Sequence, residues 1–398
     1  MESIKDKVAI IGMGCTRFGE LWDQDIYDLM VDAAYEASED AGVDMKDIQA
    51  AWIGTRRGIN GSWLASALQL QYIPVTRVEN ACGTGQEAMR GASFALAAKA
   101  YDLVLAVGGE KMKDAGYGGT VGGSLDAPNF EKWHPVYQHP GGIGPTAYAL
   151  AATRYFHQYG LNREEGKRTL AKISVKSHYN GARNPKCHFQ REITEEQAMN
   201  APIIAWPLGL FDCCPTTDGA AAAIMCRVED ARKYRDDYVV IKGMGISAGP
   251  GAKLRTDYDF THWEETERAA KQAYEEAGIK NPRKELDMAE IHDCFSIAEL
   301  IASESLSFCE KGHAKEDIEA GTFTQEGELP VNLGGGLKSF GHPIGASGVR
   351  EIYEMYKQFQ GKVEYPSRQL KNFRLGLAHN QGGCPGKFQC GILIIGGP

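Results

Sequence analysis

The chain has 398 residues, 43% of them hydrophobic and 24% charged, a composition that excludes disorder and fibre. At ~100–200 residues per domain it holds two or three units. A net charge of −9 without any Lys/Arg-rich run argues against a nucleic-acid surface, and the longest apolar stretches, Leu103–Val107 and Ile392–Ile395, fall far short of the ~20 residues of a membrane span.

The opening MESIKDKVAIIGMG has too short an apolar run for a signal peptide. Val8–Ile11 reads as a strand. It runs into Gly12-Met13-Gly14-Cys15-Thr16-Arg17, which imitates a dinucleotide fingerprint but puts Arg17 where close helix–strand packing needs a small residue. An amphipathic helix stopped by Gly42 follows, then a strand over Ile48–Ile53 and a helix over Ser62–Leu70. A strand over Val75–Glu79, a turn at Cys82, a helix over Gln86–Ala100 and a strand over Leu103–Val107 complete this half. From about Gly116 to Pro145 the chain is loop-like, and its aromatic residues Tyr117, Phe130, Trp133 and Tyr137 suit a functional cover more than disorder. Helices over Ala147–Tyr159 and Glu164–Tyr179 follow.

The second half repeats the first. Ala33-Ala34-Tyr35-Glu36-Ala37 through Gly42-Val43 aligns with Ala269-Ala270-Lys271-Gln272-Ala273 through Gly278-Ile279, and both read as helices stopped by a C-terminal glycine. A strand over Leu286–Ile291, a turn at His292, a helix over Ile297–Cys309 and a strand near Val331 come next. A turn at His342, a helix over Val349–Phe359 and apolar strands close the half. Two layered α/β halves with helix-covered sheets are implied. The boundaries are 1–115 plus 203–235 for the first half, 116–202 for an inserted loop domain over the active site, and 236–398 for the second half.

Three motifs carry chemistry. Cys82 sits in Val78-Glu79-Asn80-Ala81-Cys82-Gly83-Thr84-Gly85 ahead of an Ala-rich helix. A helix N-terminus favours thiolate, and the glycines expose N–H groups to an oxyanion. A single cysteine in a chain with ten is nevertheless more often inert core. Gly83-Thr84-Gly85 also imitates a nucleotide loop, with Asp102 as the acid, but it lies deep in the chain, and GGGLKS lacks the glycine before Lys338 that a phosphate loop requires. The second motif is His292-Asp293-Cys294-Phe295. Two residues apart in extended chain, His292 and Cys294 project to one side, and Ser296 with Glu299 spells a capping box for a helix from Ile297. The third is Gly334 through Gly348, a glycine-rich run around His342-Pro343. His342 precedes the third helix of its half as Cys82 does of the first, so a pseudo-twofold axis would pair a thiol with an imidazole.

With these residues in view, the chain resembles thiolases, in particular the branch of sterol-carrier-protein-type and archaeal acetoacetyl-CoA thiolases. The resemblance spans essentially the whole chain: VTRVENACGTG, LVLAVGGEKM, HYNGARNPKCHF, LFDCCPTTDGAAA, the HDCF segment, GGLKSFGHPIGASG and GLAHNQGG. It implies a five-layered α/β/α/β/α fold with an inserted loop domain, and ping-pong acyl transfer to and from coenzyme A, which is a substrate and not a tightly bound cofactor. It further implies Cys82 as the acylated nucleophile, His342 as its base, and His292 in the place of an Asn that helps form an oxyanion hole. Better-known thiolases carry a second thiol in a C-terminal C-x-G motif. Aligned on its last glycines, this chain has Asn380 there, with Gly382 beside it as an oxyanion or substrate contact. The resemblance therefore puts the acid/base thiol at Cys294, with Cys384 as the fallback.

The expected function is reversible cleavage of a 3-oxoacyl-CoA. The aromatic residues of the insert, Tyr148 and the nearby Trp63 suggest a bulky or aromatic acyl group of the benzoylsuccinyl-CoA kind. The alternatives are an acetoacetyl-CoA thiolase, another condensing enzyme, or a silent acyl-CoA-binding subunit. A homodimer or larger core, a small zinc-ribbon/OB-fold companion subunit, no nucleic acid or membrane partner, and no metal held by this chain are also expected. Ten cysteines without C-x-x-C spacing fit free thiols in a reducing cytoplasm.

Overall fold

The structure, a computed structural model, describes residues 3–56, 58–115 and 144–398. The first half supplies β1 (Val8–Cys15), α1 (Ile26–Ala41), β2 (Ala50–Gly54), α2 (Gly61–Ala67), β3 (Val75–Val78), α3 (Thr84–Ala97) and β4 (Leu103–Glu110). After α4 (Gly144–Gln158) and α5 (Arg163–Gly181), β5 (Gly219–Arg227) rejoins it. The second half holds β6 (Val239–Ala248), α6 (Glu264–Ala277), β7 (Met288–Ile291), α7 (Ser296–Ser305), α8 (Ser347–Gln360), β8 (Leu375–Gly382) and β9 (Gln389–Gly396).

The duplication shows in the strand pairing. Strands run in the order β3-β2-β4-β5-β1 and then β6-β9-β8-β7, with Val331 bridged in parallel to Ala289 beyond β7. In each half the second strand pairs in parallel with two neighbours, and two antiparallel strands follow. The strand expected near Val331 is thus reduced to a single bridge, where the first half has β3. The two halves join edge to edge between β1 and β6, at Ala9↔Val240 and Ile10↔Val239.

Three apolar cores make five layers. One packs α1 and α2 on the outer face of the first sheet. Another packs α6 and α7, with α4, on the outer face of the second. The middle core sandwiches α3 and α8 between the inner faces. The repeat explains the first glycine pattern. A Cβ on Gly12 or Gly14 would come 2.3 Å and 2.1 Å from the carbonyls of Ala37 and Ala33, and on Gly243 or Gly245 2.3 Å and 1.9 Å from those of Ala273 and Ala269. Both pairs let an inner strand lie directly on its outer helix, so the fingerprint-like spelling is a packing device within β1. Gly42 and Gly278 end α1 and α6 with φ of 66° and 84°, a left-handed turn that glycine adopts without strain.

The N-termini of α3 and α8 meet at the centre. A Cβ on Gly85 would stand 2.9 Å from the carbonyl oxygen of Gly345 and from the N of Gly348, and one on Gly348 2.5 Å from the N of Gln86. The two helices therefore touch backbone to backbone at their first turns. The loops before them, carrying Cys82 and His342, are brought to one place.

Candidate active site

The turn that presents Cys82 is built by its neighbours. Ala81 is held at φ 48°, a left-handed conformation costly for a residue with a Cβ. Thr84 secures it, donating from Oγ1 to the Ala81 carbonyl at 2.5 Å and accepting from the Asn80 N–H at 2.8 Å. The end of β8 closes on the same turn. A Cβ on Gly382 would lie 2.1 Å from the Asn80 carbonyl oxygen, and the N–H of Gly383 donates to the Cys82 sulfur.

Cys82 keeps intermediate exposure as a residue, yet packing around its sulfur pushes the thiol up to about 11. Arg56 and the Gly383 N–H pull the other way but do not win. Burial thus works against the thiolate that the start of α3 was expected to favour, and raises the group towards the thiol form.

One nitrogen of His292 and one of His342 lie within 4.8 Å of that sulfur and of each other. The rings stand edge to face, centroids 4.9 Å apart at 84°. Their outer contacts fix their tautomers. Ser347 Oγ lies 2.7 Å from His342 Nδ1 and 3.1 Å from the Pro343 carbonyl, so it accepts from Nδ1 when its own proton points to that carbonyl. In that arrangement Nδ1 of His342 is protonated, and Nε2 holds a lone pair. Asn380 Nδ2 donates to His292 Nδ1 at 3.1 Å, so there Nε2 carries the proton. Both Nε2 atoms are buried with no protein partner. Burial lowers both rings, His342 to about 3 and His292 well below its ordinary value, so both are neutral near pH 7. The cluster thus holds a thiol, an acceptor nitrogen and a donor N–H.

Cys294 is buried in the loop that leaves β7 through His292 and Asp293. Burial pushes its thiol well above the ordinary value, nearby Cys82 raises it further whenever that sulfur is ionised, and a hydrogen bond to Tyr148 opposes. Its carbonyl accepts from the Cys214 N–H at 2.9 Å. Tyr148 lies against Phe295 at 4.6 Å, with Trp263 and Phe388 at 6.1 and 6.2 Å. Cys384 is also buried and is close enough to Tyr148 to raise its hydroxyl when ionised. Trp63 stacks instead on Tyr27 of α1 at 5.8 Å, on the outer surface. Tyr117, Phe130, Trp133 and Tyr137 lie outside the described residues.

Several supporting residues escaped the sequence reading. The expected capping box does not form: Ser296 opens α7 without a side-chain cap. Its hydroxyl donates to Asp212 at 3.0 Å, while Glu299 accepts from Asn332 at 2.8 Å and pairs with Lys176. Asp293 and Lys338, both fully buried, form an ion pair, and Asp293 also accepts from the Leu337 N–H at 2.5 Å. This pair ties the loop of His292 and Cys294 to the run leading to His342. Asp293 and Lys338 stood in plain view in two motifs, but nothing in their spelling joins them.

Residues 8–229 match the family described as Thiolase, N-terminal domain, and residues 250–394 match Thiolase C-terminal domain-like. The chain belongs to the thiolase family and is an acyltransferase. It is 38% identical over 386 residues to an acetyl-CoA acetyltransferase of Methanothermobacter thermautotrophicus, covering 95% of this chain and 97% of that protein. It is 32% identical to the benzoylsuccinyl-CoA thiolase subunit BbsB of Thauera aromatica, covering 96% of each. Among solved structures it resembles an Ltp2-ChsH2(DUF35) aldolase with a TM-score of 0.85 and 25% identity, over 100% of this chain and 99% of that one. Among the described residues no helix is long and apolar enough to cross a membrane.

Proposed function

We propose that the protein is a 3-oxoacyl-CoA thiolase that works through an acyl group on Cys82. The observation that carries this is the meeting of one thiol and two buried imidazoles within 4.8 Å of one another. Cys82 Sγ attacks the 3-oxo carbon and its proton passes to the free Nε2 of His342. The developing oxyanion accepts from the Nε2–H of His292. The bond between C2 and C3 then breaks, its electron pair goes to C2, and the Cys294 thiol protonates that carbon. Acyl-CoA leaves, shortened by the acyl unit held on Cys82. The Cys294 thiolate next takes the proton of CoA, whose sulfur attacks the acyl thioester, and Cys82 recovers its proton from His342. Cys294 is preferred to Cys384 because it follows β7 two residues after His292, whose imidazole stands in the cluster with Cys82.

Thiolysis and condensation assays with a panel of short aliphatic and aromatic 3-oxoacyl-CoAs test the reading. Turnover with CoA-dependent cleavage supports it. A folded protein that accepts no 3-oxoacyl-CoA in either direction leaves the silent-subunit reading.

A bulky or aromatic acyl group is the second reading. It is favoured by the Tyr148–Phe295 contact beside Cys294, since aromatic walls suit flat apolar groups, and by the likeness to BbsB. A higher kcat/KM for acetoacetyl-CoA than for an aromatic substrate would return these rings to packing. We further propose a cytoplasmic homo-oligomer that works with a small zinc-binding OB-fold subunit, a reading supported by the subunit naming of BbsB and the DUF35 partner named for the aldolase. Activity unimproved by any such companion would refute that part.

A further inference from the structure

The cluster that performs acyl transfer also has the donor set of a transition-metal site. Cys82 Sγ and one nitrogen each of His292 and His342 lie within 4.8 Å of one another. Both Nδ1 atoms are engaged by Ser347 and Asn380, which leaves the two buried, unpartnered Nε2 atoms as the nitrogens a metal would take. A metal-binding histidine characteristically has its other nitrogen held by a neighbouring polar group, and here both already do. His342 offers its Nε2 lone pair as it stands. His292 offers one once its proton moves to Nδ1, with the Asn380 amide turning so that its Oδ1, now buried and unpartnered, accepts that proton.

We infer that Cys82, His292 and His342 form a binding site for Zn²⁺ or a chemically similar divalent ion, occupied only while Cys82 carries no acyl group. One thiolate and two imidazoles suit zinc, with the fourth position left to water. Bond lengths of about 2.3 Å to sulfur and 2.0 Å to nitrogen put tetrahedral donors roughly 3.3–3.5 Å apart, so atoms now within 4.8 Å of one another close in by at most about 1.5 Å. Binding releases the Cys82 proton to solvent and forms the sulfur–metal bond in its place. Acylation puts carbon on that same sulfur, removing its negative charge and blocking the site. Zinc therefore acts as a reversible inhibitor of the free enzyme and spares the acyl-enzyme. This goes beyond the thiolase reading and is separable from it.

The test uses Co²⁺ as the probe, added to the full chain in buffer without thiols. One Co²⁺ per chain is expected, with a sulfur-to-cobalt charge-transfer band in the near ultraviolet and release of about one proton. Cys82→Ser should lose the band, and His342→Ala should weaken binding at least about tenfold. A substitution can cost the fold, so the unmutated chain acylated with acyl-CoA and freed of excess reagent provides a second arm, which should also show no band. A band that survives in Cys82→Ser or in the acyl-enzyme, or its absence from the unmodified protein, overturns the inference. A chain that shows the Cys82-dependent band yet takes no acyl group would keep the metal site and sink the thiolase reading instead.

Discussion

His292 and His342, edge to face at 4.9 Å, turn opposite hydrogen-bonding states into the space beside Cys82. The difference originates in their outer partners, Asn380 for one and Ser347 for the other. Two residues of the same type are thereby prepared for opposite tasks, one to receive a proton and one to donate a hydrogen bond.

This arrangement predicts an unusual pH profile. With Cys82 raised to about 11 and His342 lowered to about 3, the pair stays thiol and neutral imidazole across the physiological range. The rate of acylation should be flat from about pH 5 to 9, falling only as His342 takes a proton at lower pH. Alkylation of Cys82 by iodoacetamide should climb towards pH 11. A bell centred on pH 7, or an alkylation midpoint near the free-thiol value, would contradict the assigned states.

Removing the Asn380 amide should damage chemistry more than binding. Asn380→Leu leaves His292 Nδ1 unpartnered and its tautomer unset, so kcat should fall about 10–100-fold while KM changes little. Equal loss in both parameters, or none, would mean that the contact does not orient His292.

Cys294→Ala should separate two half-reactions. Acylation of Cys82 by acetyl-CoA, followed as acyl-enzyme in a single turnover, should persist, because the departing CoA thiolate can take its proton from water. Condensation and thiolysis need a proton at C2 and should fall about 10²–10⁴-fold. If Cys384→Ala alone produced this split, the second thiol would be Cys384.

The buried histidines also couple stability to pH. His379, fully buried, is lowered from 6.5 to about 3, so between those values the unfolded chain binds a proton that the folded chain does not. Stability from this residue is therefore lost as pH falls below 6.5, by up to about 1.4 kcal/mol per pH unit. Denaturant titrations at pH 7 and pH 4.5 should show a smaller drop in His379→Gln than in the unmodified chain. An identical drop would mean that His379 is not held neutral.

Much of this was legible in the sequence because local rules and the duplication pointed the same way. Gly42 and Gly278 marked two equivalent helix ends, and placing Cys82 and His342 before equivalent helices was enough to pair them. What could not be read depended on long-range partners. The capping-box spelling of Ser296 and Glu299 was overridden because Asp212, Asn332 and Lys176 reach those side chains first. The position of α3 suggested a thiolate at Cys82, whereas the sulfur's burial by both halves works against it. Trp63 gave no sign that its partner would be Tyr27.

The central claim is that Cys82 carries the acyl group. Rapid-quench mass spectrometry after mixing the protein with acetyl-CoA tests it most directly, with the modified peptide identified by fragmentation. The account predicts one acyl group per chain on Cys82, its absence from folded Cys82→Ser, and its slow formation in His342→Ala. An acyl group on Cys294, Cys214 or Cys384, with Cys82 unmodified throughout, would contradict it.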